Sequence, residues 1–334
     1  MSLKQTLKQL VKRPVQSAAA RFGPQNRRSD RPRLWVLMYH RILPPEDPRY
    51  ASEEPGMIVH PDTLRMHLRV LRDTFTLMPL GEWVARAEQG RPLPDKACAI
   101  TFDDGWRDNY EYAFPILQQE QVPATLFAVS GLIGTREQFW PNRIVRLLQQ
   151  PVETRQSIGW LNALAQEGNL EAEASAQVIY SLKQYPDDRI IGMIEEAESS
   201  LGLEPPEAPA LMDWEELREL SDSSLVEIGS HTCRHVRLRE DLDHETLKRE
   251  LVDSKAELTE RLGRPVDLFC YPNGDYCAAA VEGVRRHYRA AVTTRGGINA
   301  PDGDSLLMHR FGVHQHSSDR PERLLARLSG WPMT

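Results

Sequence analysis

Residues 99–110 read Ala99-Ile100-Thr101-Phe102-Asp103-Asp104-Gly105-Trp106-Arg107-Asp108-Asn109-Tyr110, and the reading of this stretch decides the fold. The run Ala97–Phe102 is short, apolar and β-prone, which predicts a buried strand. It ends in two adjacent carboxylates, Asp103 and Asp104, followed by Gly105. Two acids at the carboxyl end of a buried strand repel each other unless a cation or a proton holds them there. Taken alone, Asp-Asp-Gly is also the composition of an ordinary solvated turn. Which of the two it is depends on what else gathers at the same end of the fold.

Outward from this strand, strand-like and helix-like segments alternate from Leu34 onward, the pattern of a parallel sheet with covering helices. Leu34–Tyr39, Ala124–Val129, Leu225–Gly229 and Asp267–Tyr271 read as strands, and Ala290–Thr294 and Leu306–Val313 as weaker ones. Helices are expected over His60–Asp73, Asn109–Gln119, Asp213–Leu220, Asp243–Leu262 and Ala278–His287. Between residues 136 and 212 the rhythm breaks. Apolar stripes such as Ile144-Val145-Leu147-Leu148 and Ile190-Ile191-Met193-Ile194 predict helices there and no strand, so 136–212 reads as a helical insertion into a domain spanning 34–334. An insertion of that size covers or shapes a site, or only adds bulk.

His40-Arg41, Asp103-Asp104, His231 with His235, and Pro272-Asn273 all directly follow predicted strands. In a parallel sheet or barrel they converge at the carboxyl end, where catalytic groups lie. His231 and His235 are spaced i, i+4, so a helical turn beginning there would aim both imidazoles one way. By itself such a pair is commonly a surface pair or a helix cap. Joined by a carboxylate it becomes a three-ligand set with an open position for water, as in catalytic zinc sites. A divalent cation there lowers the pKa of the water and polarises a carbonyl, and a second carboxylate can take the water's proton. The arrangement suits hydrolysis.

Thr101-Phe102-Asp103-Asp104-Gly105, Ser230-His231-Thr232-Cys233-Arg234-His235 and Phe269-Cys270-Tyr271-Pro272-Asn273-Gly274 resemble, in order, the successive motifs of the polysaccharide deacetylases, carbohydrate esterase family 4 or the NodB-homology group. The resemblance covers roughly residues 34–315 with the insertion looped out. It implies an α/β fold, a distorted (β/α) barrel of about seven strands. It also implies a metal-dependent hydrolase that removes an N-acetyl or similar acyl group from an amino sugar in a polysaccharide, a lipopolysaccharide or their lipid-linked or nucleotide-linked precursors. By motif position, Asp103 would be the general base and Asp104, His231 and His235 the metal ligands. The backbone N–H of Asn273 would be an oxyanion donor, with Tyr271 and Pro272 beside it at the substrate. One divalent ion is implied; zinc suits the donor set, and nickel, cobalt and iron share its preferences.

The pattern departs from the family at one position. Many members begin the third motif with an arginine that orients the catalytic aspartate, whereas Phe269 and Cys270 stand there in this chain. The form Phe-x-Tyr-Pro-x-Gly resembles instead a branch found with exopolysaccharide and lipopolysaccharide synthesis. Arg310, in Met308-His309-Arg310-Phe311, is the candidate for the missing cation, supplied from the last strand. His314 lies where the family's last motif would place a general acid, with His309 and His316 as competitors, and alternation along a strand would put Arg310, His314 and His316 on one face. His40 reads as a substrate contact, a partner of the catalytic groups, or a satisfied structural histidine. Hydrolysis of another amide, such as a formamide or ring amide, and a silent glycan- or partner-binding module are the rival readings.

The chain has 334 residues and a net charge of −7, yet residues 1–33 hold nine Lys or Arg against one acid. Leu3, Leu7, Leu10 and Val11 fall at helical spacing with Lys4, Lys8, Lys12 and Arg13 between them, and Pro14 would end or kink that helix. A basic amphipathic arm of this kind fits peripheral membrane contact through residues 1–22, or simple solvation. No apolar stretch is long enough for a signal-peptide core or a membrane span, and four cysteines without a regular framework suit a reducing compartment. The expected location is the cytoplasm, at the inner membrane face if the arm docks there. An acidic body without an aromatic-basic pattern argues against nucleic acid as a partner.

Overall fold

A computed structural model of the chain describes residues 14–53, 55–166 and 172–332. Its strands are β1 (Arg33–Tyr39), β2 (Arg41–Ile42), β3 (Ile58–Val59), β4 (Thr76–Leu77), β5 (Lys96–Phe102), β6 (Ala124–Ala128), β7 (Val226–Ser230), β8 (Leu268–Cys270), β9 (Ala290–Val292) and β10 (Phe311–Gly312). The main sheet runs β10-β1-β5-β6-β7-β8-β9, with β4 added on β5, and each of its pairings is parallel. The expected distorted barrel is what these residues build.

Parallel strands are buried on both faces and so read as continuous apolar runs. In β5, Cys98, Ile100 and Phe102 pack with Leu64, Leu68 and Leu71 of the helix Pro61–Thr74. Ala97 and Ala99 face the other way, against Leu34, Val36 and Phe127. The two-residue alternation along β5 thus places small residues on the inner side and carries Asp103 to that side as the strand ends.

The expected strand Leu306–Val313 is mostly absent: Met308 makes a single parallel bridge to Val292 of β9, and only Phe311–Gly312 pairs with β1. One short segment therefore touches both ends of the sheet in turn and draws them together. Because the strand stops at Gly312, the predicted alternation of Arg310, His314 and His316 fails. His314 instead precedes the short helix Gln315–Ser318, which contains His316.

Two expected helices contain wider turns of the π type, Asn109–Ala113 before Phe114–Glu120, and Arg249–Asp253 between His244–Lys248 and Ser254–Leu262. Within 136–212 the chain forms the helices Trp140–Leu148, Val152–Gln156, Gly159–Gln166, Ala172–Leu182 and Asp187–Leu201. These have a core of their own, including Ile144, Leu147, Leu161, Val178, Leu182, Ile190 and Ile194. Buried Arg237 joins them to the barrel: its Nε donates to Asp187 Oδ1 at 2.8 Å, its backbone N–H to Oδ2 at 2.7 Å, and its remaining nitrogens to the carbonyls of Lys183 and Tyr185 at 2.6 Å.

The amphipathic helix expected over Leu3–Arg13 lies outside the described residues. From 14 to 22 the chain is helical, and Ala19 and Ala20 pack against Ala326. Among the described residues no helix is long and apolar enough to cross a membrane. All four cysteines are free thiols.

Candidate metal centre and active site

The strand ends meet through backbone that few residues adopt. Asp104 (φ 78°) and Gly105 (φ 85°) both take left-handed conformations and turn the chain sharply after β5. At φ 85° a side chain at Gly105 is strained, and its Cβ would also crowd Ile133 Cδ1 at 2.9 Å, so the turn favours glycine. Thr232 (φ 70°), His235 (φ 58°) and Asn273 (φ 55°) are left-handed too, each in a loop directly after β7 or β8. Such strain, of order 1–3 kcal/mol per residue, persists where surrounding contacts over-determine it.

Those contacts are visible around His231 and His235. No helical turn begins at His231, which corrects the i, i+4 argument; the segment is an irregular loop. Buried Glu250, carried by the π-type turn Arg249–Asp253, accepts the backbone N–H groups of Cys233 at 3.0 Å and Arg234 at 2.8 Å on one oxygen. Thr232 Oγ1 accepts the N–H of His235 at 2.9 Å. The imidazoles converge because this loop is pinned.

Asp104 Oδ1 lies 3.4 Å from His231 Nε2 and 3.5 Å from His235 Nε2. Ligand bonds of about 2.0–2.1 Å at tetrahedral angles place donor atoms roughly 3.3 Å apart, so the spacing fits a small divalent ion. His231 Nδ1 sits 2.8 Å from the carbonyl oxygen of Cys270. A carbonyl only accepts, so Nδ1 carries a hydrogen. Burial opposes charge on this ring, but Cys270 and Asp104 raise the imidazole well above its ordinary value. Nε2 is therefore a donor to Asp104 and would offer its lone pair only to an ion that displaced that proton. Burial pushes the His235 imidazole down to about 3, helped by His231 beside it, which keeps the ring neutral. Burial opposes charge on Asp104, but His231, His235 and His40 outweigh it and hold the carboxyl below its usual range.

Asp103 is bound differently. Arg310 is fully buried and donates from Nη1 to Asp103 Oδ1 and from Nη2 to Oδ2, both at 2.7 Å. Its other donors go to the Thr293 carbonyl (2.9 Å), Thr101 Oγ1 (3.0 Å) and Cys270 Sγ (3.1 Å). All five guanidinium hydrogens are therefore used. Burial alone would raise the Asp103 carboxyl, yet Arg310 outweighs it and the group is lowered. His40 Nε2 stands 3.8 Å from Asp103 Oδ2 and keeps one-fifth of its side chain exposed. Asp103, His231 and Cys270 also lie within ligating distance of one another. That trio does not suit a cation, since Arg310 holds both Asp103 oxygens and burial keeps the Cys270 thiol protonated.

The remaining candidates are not all at this cluster. His314 is lowered by burial and then by Arg327 and His316; among the described residues the imidazole 3.8 Å from Asp103 is that of His40. The ring of His309 packs over Gly297. Tyr271 is fully buried and packs in a cluster with Phe269, Ala280 and Val284, separate from the cluster that holds Trp106 and Phe139. Pro272 opens the turn that holds Asn273, whose side-chain oxygen accepts from Lys183 Nζ at 3.0 Å.

Four contributors were not singled out in the sequence: Trp106, Glu250, Lys183 and the Arg237–Asp187 pair. Trp106 directly follows Asp-Asp-Gly and was open to notice, but Glu250 depends on a π-type turn that no local pattern announces.

The model of the family described as polysaccharide deacetylase matches residues 90–291. YxkH of Bacillus subtilis (strain 168) is 28% identical over 122 residues, 36% of this chain and 40% of that protein. The poly-beta-1,6-N-acetyl-D-glucosamine N-deacetylase of Escherichia coli (strain K12) is 34% identical over 86 residues, 25% of this chain and 13% of that one. The chain thus spans less than half the length of these curated relatives. The Streptococcus pyogenes deacetylase PplD in complex with acetate superposes with a TM-score of 0.60 at 20% identity, over 89% of this chain and 99% of that one. IcaB from Ammonifex degensii gives 0.59 at 21% identity, over 89% and 97%. At these identities the structural likeness establishes the fold.

Proposed function

The chain belongs to the polysaccharide deacetylase family, and from that premise we propose that it is a metal-dependent hydrolase removing an N-acetyl or similar acyl group from an amino sugar of a polysaccharide or its precursor. The observation that carries this reading is one charged carboxylate, Asp103, fixed by Arg310 beside a separate three-donor set, Asp104, His231 and His235.

A divalent ion held by Asp104, His231 and His235 would supply Lewis acidity, acidifying a water and polarising the substrate carbonyl. Zinc is proposed on the donor set. Asp103, kept ionised by Arg310, accepts the proton of the attacking water. The backbone N–H of Asn273 donates to the oxygen on which negative charge develops. His40, rather than His314, protonates the leaving amine, because it is the partly exposed imidazole 3.8 Å from Asp103. The silent-module reading drew on the arginine missing from the third motif, and Arg310 on both Asp103 oxygens favours the catalytic one.

The curated relative from Escherichia coli supports a polymer of N-acetylglucosamine as the first substrate to assay. The basic composition of residues 1–33 supports peripheral contact with an anionic membrane surface, on the cytoplasmic side. The direct test is acetate release from an N-acetylated glucosamine oligomer by the full chain. It should require added zinc after chelation and vanish in Asp103→Asn; no release by zinc-loaded wild type from oligomers or lipid-linked amino sugars would overturn the assignment.

A further inference from the structure

Trp106 is 2% exposed and donates its indole N–H to Asp104 Oδ2 at 2.7 Å. The other oxygen, Oδ1, is the one that faces His231 and His235. We propose that Trp106 is a positioning residue that makes Asp104 a one-oxygen metal ligand, a role that rests on the metal-centre reading given above. The physical basis is competition for lone pairs. A carboxylate with both oxygens unengaged can chelate a cation through both, which adds a ligand and narrows the position left for water or substrate. An indole N–H is a donor only and cannot switch roles. While it points at Oδ2, it holds the carboxylate with Oδ1 toward His231 and His235 and leaves Oδ2 one lone pair fewer to offer an ion.

The ring is held so that it cannot turn away. The Arg41 guanidinium lies 4.0 Å above it, and Arg41 is itself buried between Asp108, at 2.6 Å, and Glu53. Asp108 Oδ1 accepts the N–H of Ile42 at 2.7 Å, which ties this support to the chain just after β1. Trp106 also packs edge-to-face with Phe139, ring centres 5.0 Å apart, and Phe139 packs edge-to-face with His235 at 4.9 Å. One indole thus bears on two members of the donor set, by a hydrogen bond to Asp104 and through Phe139 on His235. Supporting groups of this kind commonly change metal affinity 10–100-fold when removed.

The test is Trp106→Phe, which keeps an aromatic face under Arg41 and against Phe139 but removes the donor. A second variant, with benzothienylalanine placed at position 106, keeps the indole shape without the N–H and guards against a packing defect. Metal-free protein is titrated with cobalt(II), reading affinity by chelator competition and coordination by the visible absorption of the bound ion. Both variants should bind cobalt roughly 10–100-fold more weakly and show weaker visible bands, since added coordination reduces their intensity. Wild-type affinity and an unchanged spectrum in both variants would overturn the role of Trp106. Wild-type protein that takes up no cobalt would overturn the metal centre itself, so the two failures are separable.

Discussion

Arg310 reaches Asp103 from 207 residues further along the chain and engages both of its oxygens at 2.7 Å. The guanidinium lies inside the barrel and holds a carboxylate that burial would otherwise protonate. The family position for such an arginine is in the third motif, next to β8; here the charge comes from the segment before β10 and reaches the same carboxylate.

The first prediction concerns pH. Asp103 is lowered in the folded protein, so its charged form is present above its ordinary pKa and is lost only as pH falls through the depressed folded value. The acidic limb of kcat/KM should lie below the usual carboxylate range, about 4. In Arg310→Gln the desolvation of Asp103 loses its strongest opposing charge and only His231 and His40 remain against it, so the limb should move to higher pH and turnover should fall. Leaving that carboxylate buried and unpaired should also cost about 3–5 kcal/mol of stability. A pH–rate profile that keeps its acidic limb in the variant would contradict the pairing.

Separation of the base from the ligands gives a second expectation. Asp103→Asn should abolish nearly all turnover while retaining one equivalent of zinc, whereas His231→Ala should lose both. Elemental analysis after dialysis, beside acetate release, distinguishes the two. Zinc lost equally from both proteins would argue against separate roles.

His40 and His314 make opposite predictions. If His40 protonates the leaving amine, His40→Ala should lower kcat roughly 10²–10⁴-fold on an amide. The deficit should shrink on an activated aryl ester, whose leaving group needs no proton. His314→Ala should stay within a few-fold of wild type on both substrates, and a large loss confined to His314→Ala would return the acid to that residue.

The buried Arg237–Asp187 pair predicts that the helical insertion is coupled to the histidine loop. Arg237→Met leaves Asp187 without its cation, and burial already raises that carboxyl. Thermal unfolding should show about 3–5 kcal/mol of destabilisation. Lys183→Ala removes only the bond to Asn273 and should raise KM more than it lowers kcat. Equal, wild-type behaviour of both variants would mean that the insertion is energetically independent of the site.

Much of this was legible in the sequence, for physical reasons. β5 is buried on both faces, so it shows as an unbroken apolar run, and the acids after it stand out against that run. Arg310 could be named as a candidate cation, but its path past Thr101 depends on strands that meet only in the fold. His231 and His235 lie together for a reason other than i, i+4 periodicity: left-handed residues and Glu250 shape the loop that carries them. His314 was placed by motif order and strand alternation, and alternation lapses once the strand ends at Gly312.

Arg310 lies between Met308, which bridges to β9, and Phe311, which pairs with β1. Sealing the last seam of the barrel and arming Asp103 are therefore one event. A chain caught short of that closure would lack the guanidinium that fixes Asp103, so the proposed proton acceptor is completed only when the sheet is.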